Sequence, residues 1–236
     1  MSHDRALRHV LSFVIAASAV LALAAARAPA APAHAAAPAA DAIDIDALRT
    51  GDLAFQSSES AQAPAIREAQ RGHPATHTGI VVRDEGGAVS VLEAVGPVTL
   101  TPWARFAARG SAVVVMRDPR LSDEQREALV RAAKRDLGKP YDGTFAADDA
   151  RIYCSELIWR AYTALGVELG TVQRTSELAL TGPKMTKLFS ERWRKHPRCA
   201  GVSSSKECLA RVGHEPIVTP ASLLQDDRLM HVTGRL

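Results

Sequence analysis

Three side chains in this sequence, a cysteine, a histidine and a glutamate, have the types and settings that nucleophilic catalysis uses. Cys154 opens the segment "CSELIWRAYTALG". The apolar positions of this segment recur at helical spacing and predict a helix that begins at the cysteine and stops at Gly166. Backbone amides at a helix N-terminus carry partial positive charge and stabilise a thiolate. Cys154 is therefore a candidate nucleophile, although helical spacing alone favours a buried packing role.

A cysteine nucleophile needs a base, and imidazole is the usual one because it titrates near neutral pH. His77 opens the apolar segment "HTGIVV", in which Gly79 would let another backbone or a substrate come close. His196, His214 and His231 lie in weakly patterned surroundings. His77 is therefore the preferred candidate for the base.

Glu93 is a carboxylate inside the apolar segment "SVLEAV". The segments His77–Arg83 and Ala88–Val95 flank the turn sequence "DEGG" and predict a β-hairpin. Alternation places Val91 and Glu93 on one face of the second strand. Glu93 would orient the imidazole if His77 pairs across the hairpin, whereas Glu93 considered alone is better explained as an exposed polar alternate.

The sequence "HPATH" also suggests a metal-site interpretation, which its spacing disfavours. Pro74 lies between His73 and His77 and prevents a regular helical pair, and no cysteine or carboxylate stands at ligand spacing. We therefore expect no metal and no cofactor. A redox role for Cys154 is disfavoured as well, because no second cysteine lies at CxxC spacing.

The N-terminal residues predict export. Arg5 and Arg8 precede an apolar run from Val10 to Ala26, which leads to small-residue sites such as Ala33-His34-Ala35. This is the pattern of a secretory signal peptide. We assign residues 1–35 to the leader and expect a periplasmic or secreted product with no stable membrane span after cleavage.

An Ala/Pro linker over residues 36–46 then precedes one domain over residues 47–236. The formal net charge of +3 falls to +1 when the leader, with three arginines and one aspartate, is removed. The basic balance therefore says little about partners. No basic stripe with interleaved aromatic residues is present, so we expect no nucleic-acid partner.

Export also changes how the three cysteines are interpreted, since disulfides persist outside the cytoplasm. Cys199 and Cys208 bracket the polar stretch "AGVSSSKE" and are close enough in sequence to close a short ring. We predict a disulfide between them. Cys154 is then the odd thiol, which in a secreted protein indicates a reactive group or an intermolecular bond.

The elements that must position these groups are mostly β-strands in the first half of the chain. Besides the hairpin, "GDLAFQ" from Gly51 and "SAVVVMR" from Ser111 predict strands. A capping-box pattern at Ser122 and Gln125 then begins a helix, for which we expect one apolar face with these members: Leu129, Ala133 and Leu137.

The pattern weakens between residues 169 and 215, which we interpret as an elaboration on the core. One short helix is expected around Met185 to Trp193, followed by the looped disulfide. A short strand from Ile217 to Thr219 and a helix after Pro220 complete the predicted elements.

Five motifs, "GDLAFQ", "HTGIVV", "VLEA", "GKPYD" and "YCSELIWRAY", occur in this order. Together they resemble the YiiX/YebB-like permuted papain-type amidases of the NlpC-type superfamily. The resemblance covers about Thr50 to Leu165 and "VTPASLL" near the C-terminus. It implies an α+β, circularly permuted papain-like fold, in which an antiparallel sheet or partial barrel packs against helices that include the nucleophile helix.

The resemblance implies Cys154 as the nucleophile, His77 as the base and Glu93 as the residue that orients the histidine. It also implies cleavage of an amide bond in a peptide, a cell-wall stem peptide or a lipid-linked amide, which would be the partner of the site. The oxyanion needs donors, for which we expect the Cys154 backbone amide with Gln56 or Tyr153. Gln56 is explained equally well as an edge polar residue.

Tyr141 is a candidate wall of the cleft, with core packing equally well supported. Two alternative functions stay open at this point. An acyltransferase or lipid esterase on the same fold would resolve the thioester with another acceptor. A catalytically inactive domain would bind cell-wall peptides without cutting them.

Overall fold

The computed structural model describes residues 43–236. The predicted leader and most of the predicted linker lie outside the described residues. Among residues 43–236, no helix has the length and apolar character that crossing a membrane requires.

A six-stranded antiparallel sheet forms the centre of the described chain, in the order β4-β3-β2-β1-β5-β8. A separate pair, β6 with β7, is also antiparallel. The strands are β1 (Leu53–Ser58), β2 (His77–Arg83), β3 (Val89–Ala94), β4 (Val98–Pro102), β5 (Gly110–Arg117), β6 (Gln173–Arg174), β7 (Pro216–Ile217) and β8 (Met230–Arg235).

Seven α-helices accompany these strands within residues 43–236. They are α1 (Ala63–Ala69), α2 (Trp103–Ala107), α3 (Asp123–Lys134), α4 (Cys154–Ala164), α5 (Pro183–Arg192), α6 (Ser205–Val212) and α7 (Pro220–Leu224).

The central sheet is apolar on both faces. Because side chains alternate along a strand, each strand supplies residues to two separate cores. Phe55, Ile80 and Leu92 pack against α3 and α4, whereas Ala54 and Val81 face α2 on the opposite side. Helix α4 is therefore fixed against the sheet by the buried face that the sequence predicted, which includes Leu157, Ile158, Ala161 and Tyr162.

The predicted hairpin, the strands around "GDLAFQ" and "SAVVVMR", and both main helices are present. At the start of α3, the Ser122 hydroxyl accepts from the Gln125 N–H, and the Gln125 side chain accepts from the Ser122 N–H, as predicted. The expectation for Leu137 was wrong. The helix ends at Lys134, and Leu137 stands 46% exposed before Gly138, whose φ of +81° turns the chain.

Five elements were not predicted: α1, β4, β6, α6 and β8. The stretch before Pro74 contains α1, and "VTLTP" forms the strand β4. The strand expected from Ile217 to Thr219 is only the two-residue β7, because Thr219 already serves as the N-cap of α7. The strands β6 and β8 pair with strands that are distant in sequence, whereas β4 pairs with the preceding strand β3.

The elaboration contains α5, α6 and a small core of its own around Trp193 and Val212. Cys199 and Cys208 form the predicted disulfide, with their Cα atoms 5.2 Å apart. Cys208 lies on α6 rather than in a loop, so the bridge ties this helix to the turn before it.

Candidate active site

Cys154 is the first residue of α4 and is 3% exposed. Within residues 43–236 it is the free cysteine. The segment before the helix is held by backbone hydrogen bonds from Ile152 to Pro140 and from Asp142 to Ile152, each 3.1 Å long. The thiol therefore stands at a helix N-terminus whose position is set from outside the helix.

His77 and Glu93 lie on the same face of the β2–β3 hairpin. Ile80 pairs with Leu92, so the continued register places Gly79 opposite Glu93, and His77 diagonally from it. A Cβ on Gly79 would lie only 2.4 Å from the Val91 side chain and 2.9 Å from the Leu92 carbonyl oxygen. The glycine therefore lets the two strands approach so that His77 Nε2 and Glu93 Oε2 lie 2.5 Å apart.

The Glu93 carboxylate is fully buried and has three partners. His77 contacts one oxygen, Arg109 Nη2 donates to the other, and the Thr101 hydroxyl also hydrogen-bonds to the group. Burial raises the pKa of Glu93, but these hydrogen bonds and the charges of His77 and Arg109 outweigh it and lower the pKa below its ordinary value. Glu93 is thus held as a carboxylate.

His77 is 8% exposed and lies between Cys154 and Glu93. Burial lowers the pKa of His77, but hydrogen bonds to Cys154 and Glu93, together with their charges, outweigh burial and raise the pKa to about 9. Because Nε2 contacts Glu93, Nδ1 is the ring nitrogen left for the thiol. The raised pKa favours the imidazolium form of His77 at neutral pH.

Gln56 and Tyr141 line a cavity of about 290 Å³ that His77 also lines. Gln56 is 1% exposed, and its Nε2 donates to the Phe106 carbonyl oxygen at 2.7 Å. The Tyr141 hydroxyl accepts from Gln62 Nε2 at 2.7 Å. The structure therefore brings both predicted residues to the side of the imidazole.

Tyr153 is placed differently. Its hydroxyl accepts from the Val218 N–H at 3.2 Å, and its ring meets Phe145 edge-on with 5.4 Å between ring centroids. Tyr153 borders the cavity that contains Cys154 and is not among the residues that line the His77 cavity. Its side chain fixes the entrance to α4, and its hydroxyl is already engaged.

Arg109 and Thr101 are the contributors that sequence reasoning missed. Arg109 lies in the turn between α2 and β5, and its guanidinium also sits 5.8 Å from the centre of the Phe106 ring. The neighbouring Gly110 could have drawn attention to this turn, because a Cβ at position 110 would lie 2.3 Å from the Gln56 side chain. A glycine at the start of an apolar strand indicates such a close approach.

A family model described as "Permuted papain-like amidase enzyme, YaeF/YiiX, C92 family" matches residues 47–233. This chain belongs to that family. The α+β fold and the resemblance inferred from the sequence motifs are thereby confirmed.

Two YiiX proteins are also similar to this chain. The uncharacterized protein YiiX of Escherichia coli (strain K12) is 41% identical over 153 residues, which cover 63% of this chain and 74% of that protein. A crystal structure described as that of metalloprotein YiiX from Escherichia coli O157:H7, DUF1105, matches with a TM-score of 0.68 and 36% identity. The match covers 79% of this chain and 97% of that one.

The word metalloprotein applies to that solved structure. Across the described part of this C92 member, no three or more His, Cys, Asp or Glu side chains are grouped so that they could hold a metal ion. His77 and Glu93 are engaged with each other, and Glu93 with Arg109, whose positive charge opposes a cation there. These residues do not fit a metal site.

Proposed function

We propose that the protein is an exported cysteine amidase that cleaves an amide bond through Cys154, His77 and Glu93. The observation that supports this is the placement of one buried imidazole between a helix-first thiol and a buried carboxylate. Nucleophile, base and orienting group are recognised by such geometry and not by their order in the chain. The amidase family to which the chain belongs agrees with this chemistry.

The reaction would run in two half-reactions. The Cys154 thiolate, whose proton His77 holds, attacks the amide carbon and forms a carbon–sulfur bond. The carbon–nitrogen bond then breaks, and the His77 imidazolium gives its proton to the departing amine. Water, deprotonated by the same imidazole, hydrolyses the thioester and regenerates the thiol and the free acid. Glu93 keeps the ring oriented and stabilises its charged form.

The tetrahedral intermediate carries a negative oxygen that needs hydrogen-bond donors. The Cys154 backbone N–H at the start of α4 is one, because the first N–H groups of a helix lack partners within it. We assign Gln56 as the second donor, since it lines the His77 cavity. Tyr153 is left out of this role because it does not line the His77 cavity.

Export rests on the N-terminal sequence pattern and is supported by the Cys199–Cys208 disulfide, since such bonds persist in oxidising compartments. Peptides, cell-wall stem peptides and lipid-linked amides are the substrate classes that we carry forward from the family resemblance.

The decisive experiment is alkylation of Cys154 with a small dose of iodoacetamide from pH 5 to 9, followed by mass spectrometry. We expect fast labelling near neutral pH in the wild type and slow labelling in His77→Ala. His214→Ala is the matched control, because His214 is exposed and lies outside the site. Its labelling should equal that of the wild type.

If labelling begins only above about pH 8.5, where an unperturbed thiol ionises, in both wild type and His77→Ala, the proposed mechanism is excluded. The protein would then be better explained as a binding domain.

A further inference from the structure

Arg192, the last residue of α5, reaches from the elaboration to the edge of the candidate site. Its Nη1 donates to the side-chain oxygen of Gln62 and to the Gly143 carbonyl oxygen, both at 2.9 Å. Gln62 in turn donates from Nε2 to the Tyr141 hydroxyl at 2.7 Å. A chain of hydrogen bonds therefore runs from the elaboration to Tyr141, which lines the His77 cavity.

The donor groups in this chain fix the direction of each hydrogen bond. A guanidinium has only N–H donors, so the end of the Gln62 amide that faces Arg192 must be its oxygen. The amide nitrogen then faces Tyr141, and the phenol oxygen must accept. Among residues 43–236, Gln62 is the hydrogen-bond partner of this hydroxyl. The phenol proton is therefore directed away from Gln62 and is left for a bound group.

The Tyr141 hydroxyl lies close enough to Cys154 to respond to its charge. Burial and the negative charge that Cys154 carries as a thiolate raise the pKa of Tyr141 well above its ordinary value, outweighing the opposite effects of Gln62 and Arg192. The phenol therefore keeps its proton at neutral pH. Because its oxygen already accepts one hydrogen bond, the hydroxyl is polarised and becomes a better donor.

Polar contacts join both ends of α5 to α1. At the start of α5, the Glu68 carboxylate accepts from the Met185 N–H at 2.6 Å, and at its end Arg192 binds Gln62, the N-cap residue of α1. A Cβ on Gly143 would lie 3.2 Å from Arg192 Nη1, so this loop is fitted to the guanidinium as well. The elaboration therefore holds the Gln62 amide in one orientation.

We propose that Arg192 and Gln62 are positioning residues, which aim the Tyr141 O–H proton at the oxygen that becomes negative during thiolate attack. Neither Arg192 nor Gln62 contacts the substrate. Tyr141 adds a donor to the Cys154 N–H and Gln56, and it acts where the charge develops. This inference rests on the proposed amidase function, and it gives the elaboration a part in the chemistry.

Gln62→Glu tests the direction of the chain while keeping the size of the side chain. A carboxylate accepts from Arg192 as before, but it also accepts from Tyr141, so the phenol proton is drawn away from the reacting oxygen. The assay is acylation of Cys154 by para-nitrophenyl acetate, whose leaving group departs as an anion and needs no proton from His77. At the pH of maximal Cys154 alkylation, Gln62→Glu and Tyr141→Phe should each slow acylation on the order of 10²-fold, the lower end of the range for loss of one oxyanion donor.

Two further readouts separate aiming of the proton from a merely structural role. Once Tyr141→Phe has removed the proton, adding Gln62→Glu should cause little further loss of the acylation rate, whereas independent effects would multiply. Alkylation by iodoacetamide is displacement at a saturated carbon and develops no oxyanion. Its maximal rate across pH 5 to 9 should therefore be the same in the wild type, both single variants and the double variant.

Arg192→Gln and Arg192→Lys test the part of the elaboration. The introduced glutamine can both donate and accept, so the Gln62 amide is free to turn over, and acylation should slow about fivefold, the factor that one ordinary hydrogen bond gives. Lysine keeps a donor for the Gln62 oxygen and should retain most of the rate. Arg135→Gln, at an exposed position after α3, and Gln173→Glu, on β6 and outside the His77 cavity, are the matched controls. Both should acylate at the rate of the wild type.

Acylation that Cys154→Ala abolishes but that Gln62→Glu and Tyr141→Phe leave unchanged would overturn this inference and keep the proposed function. Losses that multiply in the double variant would overturn it too, because the two residues would then act independently. Equal losses of acylation and of maximal alkylation would show that Gln62 only maintains the fold. If Cys154 of the wild type is not acylated, the proposed function fails, and this inference fails with it.

Discussion

At the scale of single residues, the site depends on charges that are buried together. Glu93 is fully buried, yet it stays ionised because His77, Arg109 and Thr101 all favour its charged form. In return, Glu93 is one of the two groups that hold the pKa of His77 near 9. The imidazolium form should therefore persist across neutral pH and be lost as the pH rises through about 9.

Glu93→Gln keeps the size of the side chain and removes its charge. Because a negative neighbour raises a histidine pKa, its loss should lower the pKa of His77 and move the alkaline limb of the pH–rate profile to lower pH. We expect kcat/KM at pH 7 to fall on the order of 10²-fold, within the range for general acid–base groups. Profiles of Cys154 alkylation and of turnover from pH 5 to 10 measure both effects.

The matched control is Glu127→Gln, which makes the same change at an exposed position of α3. An alkaline limb that stays in place in Glu93→Gln would show that the carboxylate does not act on His77.

Cys154, His77 and Glu93 could be proposed from the sequence because each stands out against a local apolar pattern. Arg109 and Thr101 could not be found in the same way. Their roles arise only when the turn after α2 and the strand β4 fold against β3, which brings together residues that no local period connects.

At the scale of elements, sequence reasoning found the helices and strands whose patterns are encoded locally. The α3 capping box and the apolar face of α4 are encoded within each helix. In contrast, β8 has an exposed Met230 and weak alternation, and it becomes a strand because the β5 edge offers free hydrogen-bonding groups. Tertiary pairing therefore decided the elements that were missed.

Helix α4, which begins at Cys154, carries a buried acid at its third residue. Glu156 accepts from the Tyr153 N–H and pairs with Arg160, while burial raises its pKa to about 7. The folded state then binds the proton more tightly than the unfolded state does. The stabilisation is complete below the unfolded pKa of about 4.5 and is lost as the pH rises through about 7.

Glu156→Gln removes this titration. The free energy of unfolding of the variant, relative to wild type, should increase by on the order of 3 kcal/mol between pH 4 and pH 8. Urea unfolding of both proteins across that range measures the difference, and comparison with wild type cancels the other carboxylates. A relative stability that is constant with pH would contradict the assignment.

The anchor of α5 gives another element-scale prediction. Glu68 on α1 accepts from the Met185 N–H at 2.6 Å, and a Cβ on Gly182 would lie 2.1 Å from the Glu68 carboxyl carbon. Gly182→Ala should displace the carboxylate, break this cap and cost about 1 kcal/mol, a fall in Tm of roughly 2 to 4 °C. Gly96→Ala is the control, since its Cβ would meet no atom within 4 Å. Equal Tm values for the two variants would disprove the anchor.

At the scale of the whole molecule, the site is shared between two parts of the chain. The sheet and α4 hold Cys154, His77 and Glu93, whereas the elaboration builds an apolar cavity and is tied by the Cys199–Cys208 bridge. The reactivity of Cys154 should therefore survive changes confined to the elaboration.

Replacement of both bridged cysteines by serine tests this separation. The bridge closes a loop with a sequence separation of 9, so its loss should destabilise the elaboration by roughly 2 to 3 kcal/mol. We expect limited proteolysis to cut within residues 169–215 faster than in the wild type, because the bridge secures α6 and lies in the small core with Trp193 and Val212. Alkylation of Cys154 at pH 7 should stay fast, since its partners lie on the sheet. Replacement of both cysteines by alanine adds no hydroxyl groups and should give the same result as replacement by serine. Loss of Cys154 alkylation together with faster proteolysis would instead show that the elaboration and the rest of the domain unfold as one cooperative unit.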